Sequence, residues 1–346
     1  MTTADKKKIR IWYWSGAALI FLIVVVGGIT RLTDSGLSMT DWKPLLGSIP
    51  PITDTQWAET FDRYKQFPEY QQRNTGMSLS EFKAIYFWEY LHRMLGRFIG
   101  LVFIIPFGYF IYKKKFNNRQ LKRAITLLGL GFAQGFMGWY MVKSGLVDVP
   151  YVSPYRLAVH LSLAFLIFGL CIWYALDLYE HKTRKENLAG ELKTMLQIFG
   201  LLLIIQIVWG AFVAGLNAGH VYNTFPKMYA SWVPSEAWLL EPFVKNLTEN
   251  PAAVQFIHRV TGTLLGLFVI GIWIRTLFKA SKWQTKKWAF GLFSIVLIQY
   301  VIGVFTLIYH VPMWLGVTHQ AAALILFCCT IGFYHHLKVS ENKYIV

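Results

Sequence analysis

Eight runs of this chain are long and apolar enough to cross a lipid bilayer, and no other feature restricts its fold as severely. They lie at roughly 11–30, 85–112, 124–143, 157–178, 194–215, 253–278, 289–309 and 314–337. About 20 apolar residues span the hydrocarbon as a helix. Lipid offers no partner for a backbone N–H or C=O, so a spanning segment must satisfy its own hydrogen bonds. The expected fold is therefore an all-α polytopic membrane protein of eight transmembrane helices. Composition agrees, with 55% hydrophobic and 15% charged residues.

The net charge of +16 does not point to nucleic acid, because the basic residues fall in short loops between the runs. Twenty-one Lys and Arg lie on the side that holds Lys6, Lys7, Lys8 and Arg10, against ten on the other. The basic side is cytoplasmic by the positive-inside rule, which places both termini there. Cys171, Cys328 and Cys329 all lie inside apolar runs. No loop carries a Cys pair, and no C-x-x-C-H motif occurs. No cleavable leader precedes the first run. The expected location is a bacterial cell (inner) membrane, crossed several times.

The outer loops are the long ones. Loop 31–84 contains Thr33-Asp34-Ser35-Gly36, then Trp42-Lys43-Pro44. Trp57, Phe61 and Tyr64 follow at helical spacing, a pattern suited to the membrane surface. Loop 216–252 carries Tyr222, Phe225, Tyr229, Trp232 and Trp238, a composition that favours packing over disorder.

The chain repeats. Glu89-x-x-His92-Arg93-x-x-Gly96 returns as Gln255-x-x-His258-Arg259-x-x-Gly262. Gln134…Gly138 returns as Gln299…Gly303, and His160 matches His319. Leu32-Thr-Asp-Ser-Gly36 resembles Leu216-Asn-Ala-Gly219 with one residue fewer. Each half holds four runs and begins on the same side. The expected architecture is two pseudo-symmetric four-helix bundles, over 1–180 and 181–346.

The four histidines His92, His160, His258 and His319 fall one in each even-numbered run, at a similar depth toward the outer side. Two imidazoles on facing helices at one depth can hold a heme iron. A lone intramembrane His is ordinarily a hydrogen-bonded packing residue, whereas four at matched depth, two per repeat, point to ligation. A zinc site would call for Cys or carboxylate ligands that this depth lacks. His181, His335 and His336 are expected at the cytoplasmic interface in solvated contacts, and His220 and His310 in outer loops. Arg93 and Arg259 suit heme propionates or, equally, a backbone carbonyl or another helix. Gly96, Gly262, Gly138 and Gly303 permit close helix approach, and the first two also make room for a macrocycle. Glu89 is the break in the repeat, because its twin Gln255 is neutral. A carboxylate at a heme edge can move protons or stabilise a developing cation, so the halves share binding but not chemistry. The bland reading of Glu89 is a partner for Arg93 or for a loop Lys.

The segment Gly27-Gly-Ile-Thr-Arg31-Leu-Thr-Asp-Ser-Gly36-Leu-Ser-Met-Thr-Asp-Trp42-Lys-Pro44, followed by Glu89-x-x-His92-Arg93, resembles the heme A synthase family. The likeness extends through the His160, His258 and His319 runs. It implies oxidation of the C8 methyl of heme O to a formyl group, giving heme A for terminal oxidases. It also implies that His258 and His319 ligate a resident heme B, with Arg259 beside it, while His92 and His160 bracket the substrate heme O and Glu89 is catalytic. All four histidines would then be axial ligands of heme iron. The implied partners are a heme O synthase (a farnesyltransferase) as supplier, an electron donor such as a ferredoxin, and membrane lipid, with no nucleic acid. Some relatives carry a Cys pair in the first outer loop, and this chain lacks it. Two other readings of the same residues stay open. One is a di-heme b-type electron carrier reacting with quinone; the other is a parallel-repeat transporter using His for proton coupling.

Overall fold

The computed structural model describes residues 1–40, 49–145, 151–180 and 186–341. Trp42, Lys43 and Pro44 of the first loop, His181, and the basic residues Lys182, Arg184, Lys185 and Lys343 lie outside the described residues. Among the described residues, eight helices are long and apolar enough to cross a membrane. They are α1 (Thr3–Leu32), α4 (Leu79–Tyr112), α5 (Asn118–Gly145), α6 (Pro154–Leu176), α7 (Ala189–Gly215), α8 (Pro251–Lys279), α9 (Trp283–Ile308) and α10 (Met313–Glu341). Two short helices, α2 (Asp54–Tyr64) and α3 (Pro68–Gln72), lie in the first long loop.

Several helices outrun the apolar stretches because polar residues cap them. Thr2 and Asp5 form a capping box that starts α1 within the basic leader. Ser78 and Glu81 do the same for α4, about two turns before its apolar run begins. Asn250 accepts from the amides of Ala252 and Ala253 at the start of α8, where Pro251 fits the first turn.

α1 packs against α4 and α6, and α5 against α6. Their shared core includes Trp12, Tyr13, Phe110, Phe165, Phe168 and Ile172. α7 packs against α8 and α10, and α9 against α8 and α10, around Leu196, Phe199, Val269, Leu292 and Phe333. The two sets meet where α6 lies on α7 and where α10 lies on α1 and α6.

The outer loops fold over the helix ends. Phe61 and Tyr64 of α2 stack on Phe82 at the start of α4, and Met39, Tyr86 and Trp57 join them. The apolar face of α2 is thus turned onto protein rather than toward a membrane surface. In the second loop Tyr222 and Trp238 pack on Ala252, Ala253 and Phe256, while Tyr229 and Trp232 stay exposed.

The repeat at the ends of α1 and α7 has a different register from the one the sequence suggests. Asp34 and Asn217 both adopt left-handed backbone, with φ of 49° and 52°. This conformation favours Asp and Asn among residues with a side chain. They are twins, so Gly27 matches Gly210 and Gly36 matches Gly219 with no residue missing. Matching Leu32 to Leu216 followed the letters and missed the turn. Arg31 ties the two turns together, donating to Asp34 at 3.1 Å, to Asn217 Oδ1 at 2.9 Å and to the Ala214 carbonyl at 2.7 Å.

Candidate functional site

Each of the four intramembrane histidines lies against a glycine of an odd-numbered span. An ideal Cβ on Gly27 of α1 would fall 3.2 Å from His92 Nε2 of α4. On Gly138 of α5 it would fall 3.1 Å from His160 Cε1 of α6. On Gly210 of α7 and Gly303 of α9 it would fall 3.2 and 2.7 Å from the Cε1 atoms of His258 and His319. Glycine is thus what lets the backbone approach each imidazole. Gly138 and Gly303 were singled out by the repeat; Gly27 and Gly210 emerge only from the corrected register. Gly96 and Gly262 serve differently. Gly96 faces Ile23 at 3.7 Å, and Gly262 admits the amide of Gln206 at 3.0 Å.

Glu89 is buried, with 2% of its surface exposed, and three donors converge on its carboxylate. Oε1 takes the Arg93 guanidinium at 2.5 Å. Oε2 accepts from Ser38 Oγ at 2.7 Å and from the Met39 amide at 2.7 Å. Arg93 also donates to the Met39 carbonyl at 3.0 Å. The pairing with Arg93 therefore exists, but as part of a clamp on the first outer loop. Ser38 and Met39 went unrecognised as site residues, although both lie inside the distinctive motif after α1. Close to this clamp, Tyr64 donates to the buried Glu69 at 2.9 Å. Burial pushes the Glu69 carboxyl up to about 8, so it is mainly uncharged at neutral pH.

The second half builds the same frame without the charge. Gln255 donates to the Tyr222 carbonyl at 3.0 Å, and Arg259 donates to it at 2.7 Å and to the Thr224 carbonyl at 2.8 Å. In the corrected register Tyr222 is the twin of Met39. Arg93 and Arg259 are thus both tied to outer-loop carbonyls. Arg259 Nε is buried with no partner and is its donor left for another acceptor.

Glutamines address three of the four histidines. Gln134 Nε2 lies 3.3 Å from His160 Nε2, and Gln206 Nε2 lies 3.3 Å from His258 Nε2. Gln299 Nε2 lies 3.3 Å from His319 Nδ1. Gln134 and Gln299 were visible as part of the repeat; Gln206 was not, because its twin is Ile23. His335 departs from the solvated contact expected of it. It is buried and bonded to Asp177 at 2.9 Å. His336 lies 3.3 Å from Thr285, and His220 and His310 are exposed.

Two imidazoles presented from facing helices suit a metal in a planar macrocycle, which brings its own in-plane ligands and takes one axial donor from each side. The fit is measurable in the second pair. The ring centroids of His258 and His319 are 6.5 Å apart and their planes are inclined at 75°. Two metal–imidazole bonds of about 2 Å each, plus the ring radii, account for a separation of that size. His160 Nδ1 and His258 Nδ1 are buried without a hydrogen-bond partner, a state that costs about 1–3 kcal/mol per group unless something else satisfies it. The donor set and its spacing fit a heme.

The family model described as cytochrome oxidase assembly protein matches residues 10–331. A heme A synthase of Flavobacterium psychrophilum is 47% identical over 342 residues, covering 96% of this chain and 99% of the relative. A heme A synthase of Flavobacterium johnsoniae is 44% identical with the same coverage. One from Nitrosospira multiformis is 44% identical over 340 residues, covering 97% and 95%. With the histidine frame intact and the match running nearly end to end, this chain belongs to the cytochrome oxidase assembly protein family that the model COX15-CtaA describes.

Proposed function

We propose that the protein is a heme A synthase, an oxidoreductase that converts the C8 methyl of heme O to a formyl group. The observation that carries this reading is the asymmetry within the repeat. Both halves hold a histidine pair and an Arg-anchored outer loop, but only the first places a buried carboxylate one helical turn from a ligand. Residues 1–180 then form the substrate half and 181–346 the cofactor half. His92 and His160 bracket heme O. His258 and His319 hold heme B, with Arg259 Nε the donor for a propionate.

Converting a methyl to a formyl group is a four-electron oxidation of that carbon; with dioxygen as the oxidant, each of its two rounds consumes one O2, two donor electrons and two protons and releases one water. The carbon passes through a hydroxymethyl stage, and the second oxidation leaves a gem-diol that loses water to give the aldehyde. A bound heme B supplies one-electron transfer. Glu89 acts on the positive charge and the protons that leave the methyl carbon. Its two oxygens are oriented by Ser38, Met39 and Arg93, which fixes it as an acceptor and favours electrostatic stabilisation. The clamped outer loop keeps bulk water from the reacting edge. A heme O synthase is the supplier, a ferredoxin-type protein is the electron donor, and both termini face the cytoplasm of a bacterial inner membrane.

The test is extraction of the purified protein followed by chromatography of its hemes. Heme B together with heme O or heme A is the expected outcome. Heme B alone, in both halves, replaces this reading with a b-type electron carrier.

A further inference from the structure

The first and second halves differ at one further place beside a histidine. On α7, Gln206 lies one turn before Gly210, on the face turned to His258. Its amide nitrogen is 3.3 Å from His258 Nε2 and donates to the His258 main-chain carbonyl at 3.0 Å. The other end of the amide is fixed as well, since Oε1 accepts a hydrogen bond from Thr261 Oγ1. Gly262 leaves the room, because a Cβ there would fall 3.0 Å from Gln206 Nε2. The amide is therefore tethered at both ends, to the His258 main chain and to Thr261, and it packs against the imidazole, which it holds through that backbone tether rather than through a ring nitrogen that iron would occupy.

In the first half the corresponding residues are Ile23 for Gln206 and Leu95 for Thr261, while Gly96 keeps the place of Gly262. The nearest side-chain atom to a Cβ on Gly96 is Ile23 Cδ1 at 3.7 Å. Neither Ile nor Leu can donate or accept a hydrogen bond. Among the described residues His92 has no hydrogen-bond partner, whereas the other three histidines each have a glutamine. So the glycine frame and the Gln134–His160 and Gln299–His319 contacts are shared, and the halves differ here only in the Gln206–Thr261 pair beside His258.

We infer that the Gln206–Thr261 pair is a positioning device that makes the second half a retaining heme site, and that Ile23 and Leu95 leave His92 free to turn so that the first half exchanges its heme. This rests on the reading of the halves as cofactor and substrate sites. A cofactor site and a substrate site built on one frame face opposite demands. The cofactor must stay through many turnovers, and the product must leave after each one. Groups that hold a metal-binding imidazole in one orientation raise affinity, and their removal typically lowers it about 10- to 100-fold. An imidazole with no such partner gives up its metal more readily. Gln206 and Thr261 touch neither heme nor reacting atoms in this account; they act through His258.

The test uses full-length protein purified in detergent, with an excess of apomyoglobin as the heme acceptor. In Gln206→Leu, which keeps the volume and removes the donors, heme B should transfer about 10- to 100-fold faster than in the parent. Its low-spin visible and EPR spectrum should shift, a change that a loss of general stability does not produce. Gln206→Asn/Thr261→Ser, which keeps shorter donors, should recover part of the retention. In the reciprocal variant Ile23→Gln/Leu95→Thr, the first half should keep a second heme equivalent through purification, with product release slowed. This variant also answers the question if Gln206→Leu fails to fold. Unchanged transfer and spectrum in Gln206→Leu, or an unchanged heme count in the reciprocal variant, would overturn the clamp. Parent protein that carries no heme at all overturns the underlying reading instead.

Discussion

At the scale of single residues, Glu89 and Gln255 occupy the same position on α4 and α8, and each grips an outer-loop backbone beside an arginine. Holding the loop therefore does not need a carboxylate, since an amide does it in the second half. On the proposed function, the charge in the first half is left for chemistry. Glu89→Gln makes the halves alike and turns an N–H toward donors, so it sets one donor against Ser38, Met39 or Arg93. Conversion of heme O should fall by about 10²- to 10⁴-fold, the range associated with loss of a positioned acid or base. The heme content should stay at the parental level, because no histidine is touched. A parental conversion rate in a host that makes only heme O removes Glu89 from the mechanism. Ser38→Ala deletes one of three donors, and one buried hydrogen bond of about 1–3 kcal/mol makes its expected effect roughly tenfold.

At the scale of elements, the recurring unit is a glycine on one helix facing a histidine on the next. The four contacts are graded, and the Gly303–His319 approach at 2.7 Å is the tightest. A methyl group there meets a ring carbon that cannot move aside without turning the ring. Gly303→Ala should therefore displace His319 and weaken or abolish low-spin heme in the second half, with an overpacking cost of about 1–3 kcal/mol. Gly210→Ala, at 3.2 Å, should perturb the spectrum less. Equal spectra for the two variants would contradict this ranking.

The spans and the histidine pairs were legible in the sequence for physical reasons. A bilayer demands long apolar runs, and polar groups inside them are conspicuous. Ser38 and Met39 were not legible as partners of Glu89. They lie about fifty residues upstream, and a backbone amide used as a donor has no letter of its own. Gln206 was hidden for the opposite reason. A repeat is found by what its halves share, and Gln206 is where they differ. The register at Asp34 and Asn217 was misread because a left-handed turn is a matter of conformation, and two different residue types satisfy it.

At the scale of the whole molecule, the proposed function needs the two helix sets to stay aligned so that electrons can pass between their sites. Much of their junction is apolar, but polar contacts cross it too, among them the Arg31 tie to the end of α7 and a cluster around Asp177. Asp177, just past the end of α6, accepts from His335 of α10 at 2.9 Å and makes an ion pair with Arg123 of α5. Arg119 joins at 2.8 Å, but its side chain is 67% exposed, so its share is small. The Arg123, His335 and Asp177 side chains are only 11%, 3% and 14% exposed. Burial acts to raise the Asp177 carboxyl, yet hydrogen bonds from His335 and Arg123 outweigh it and hold the carboxyl well below the usual carboxylate range. A depressed folded pKa means that the stabilisation is complete above the ordinary aspartate value of about 3.9. It is lost as pH falls below that value toward the folded pKa. Asp177→Asn leaves Arg123 buried without its counter-charge, a change that costs about 3–5 kcal/mol. Thermal unfolding in detergent at neutral pH should show a lowered Tm, and the variant should lack the part of the acid sensitivity that Asp177 contributes to the parent. Because the cluster joins α5 and α6 of one set to α10 of the other, the variant should also slow electron transfer between the two hemes without changing how many are bound. A Tm equal to that of the parent would mean that the apolar contacts of α1, α6, α7 and α10 and the Arg31 tie hold the junction without Asp177.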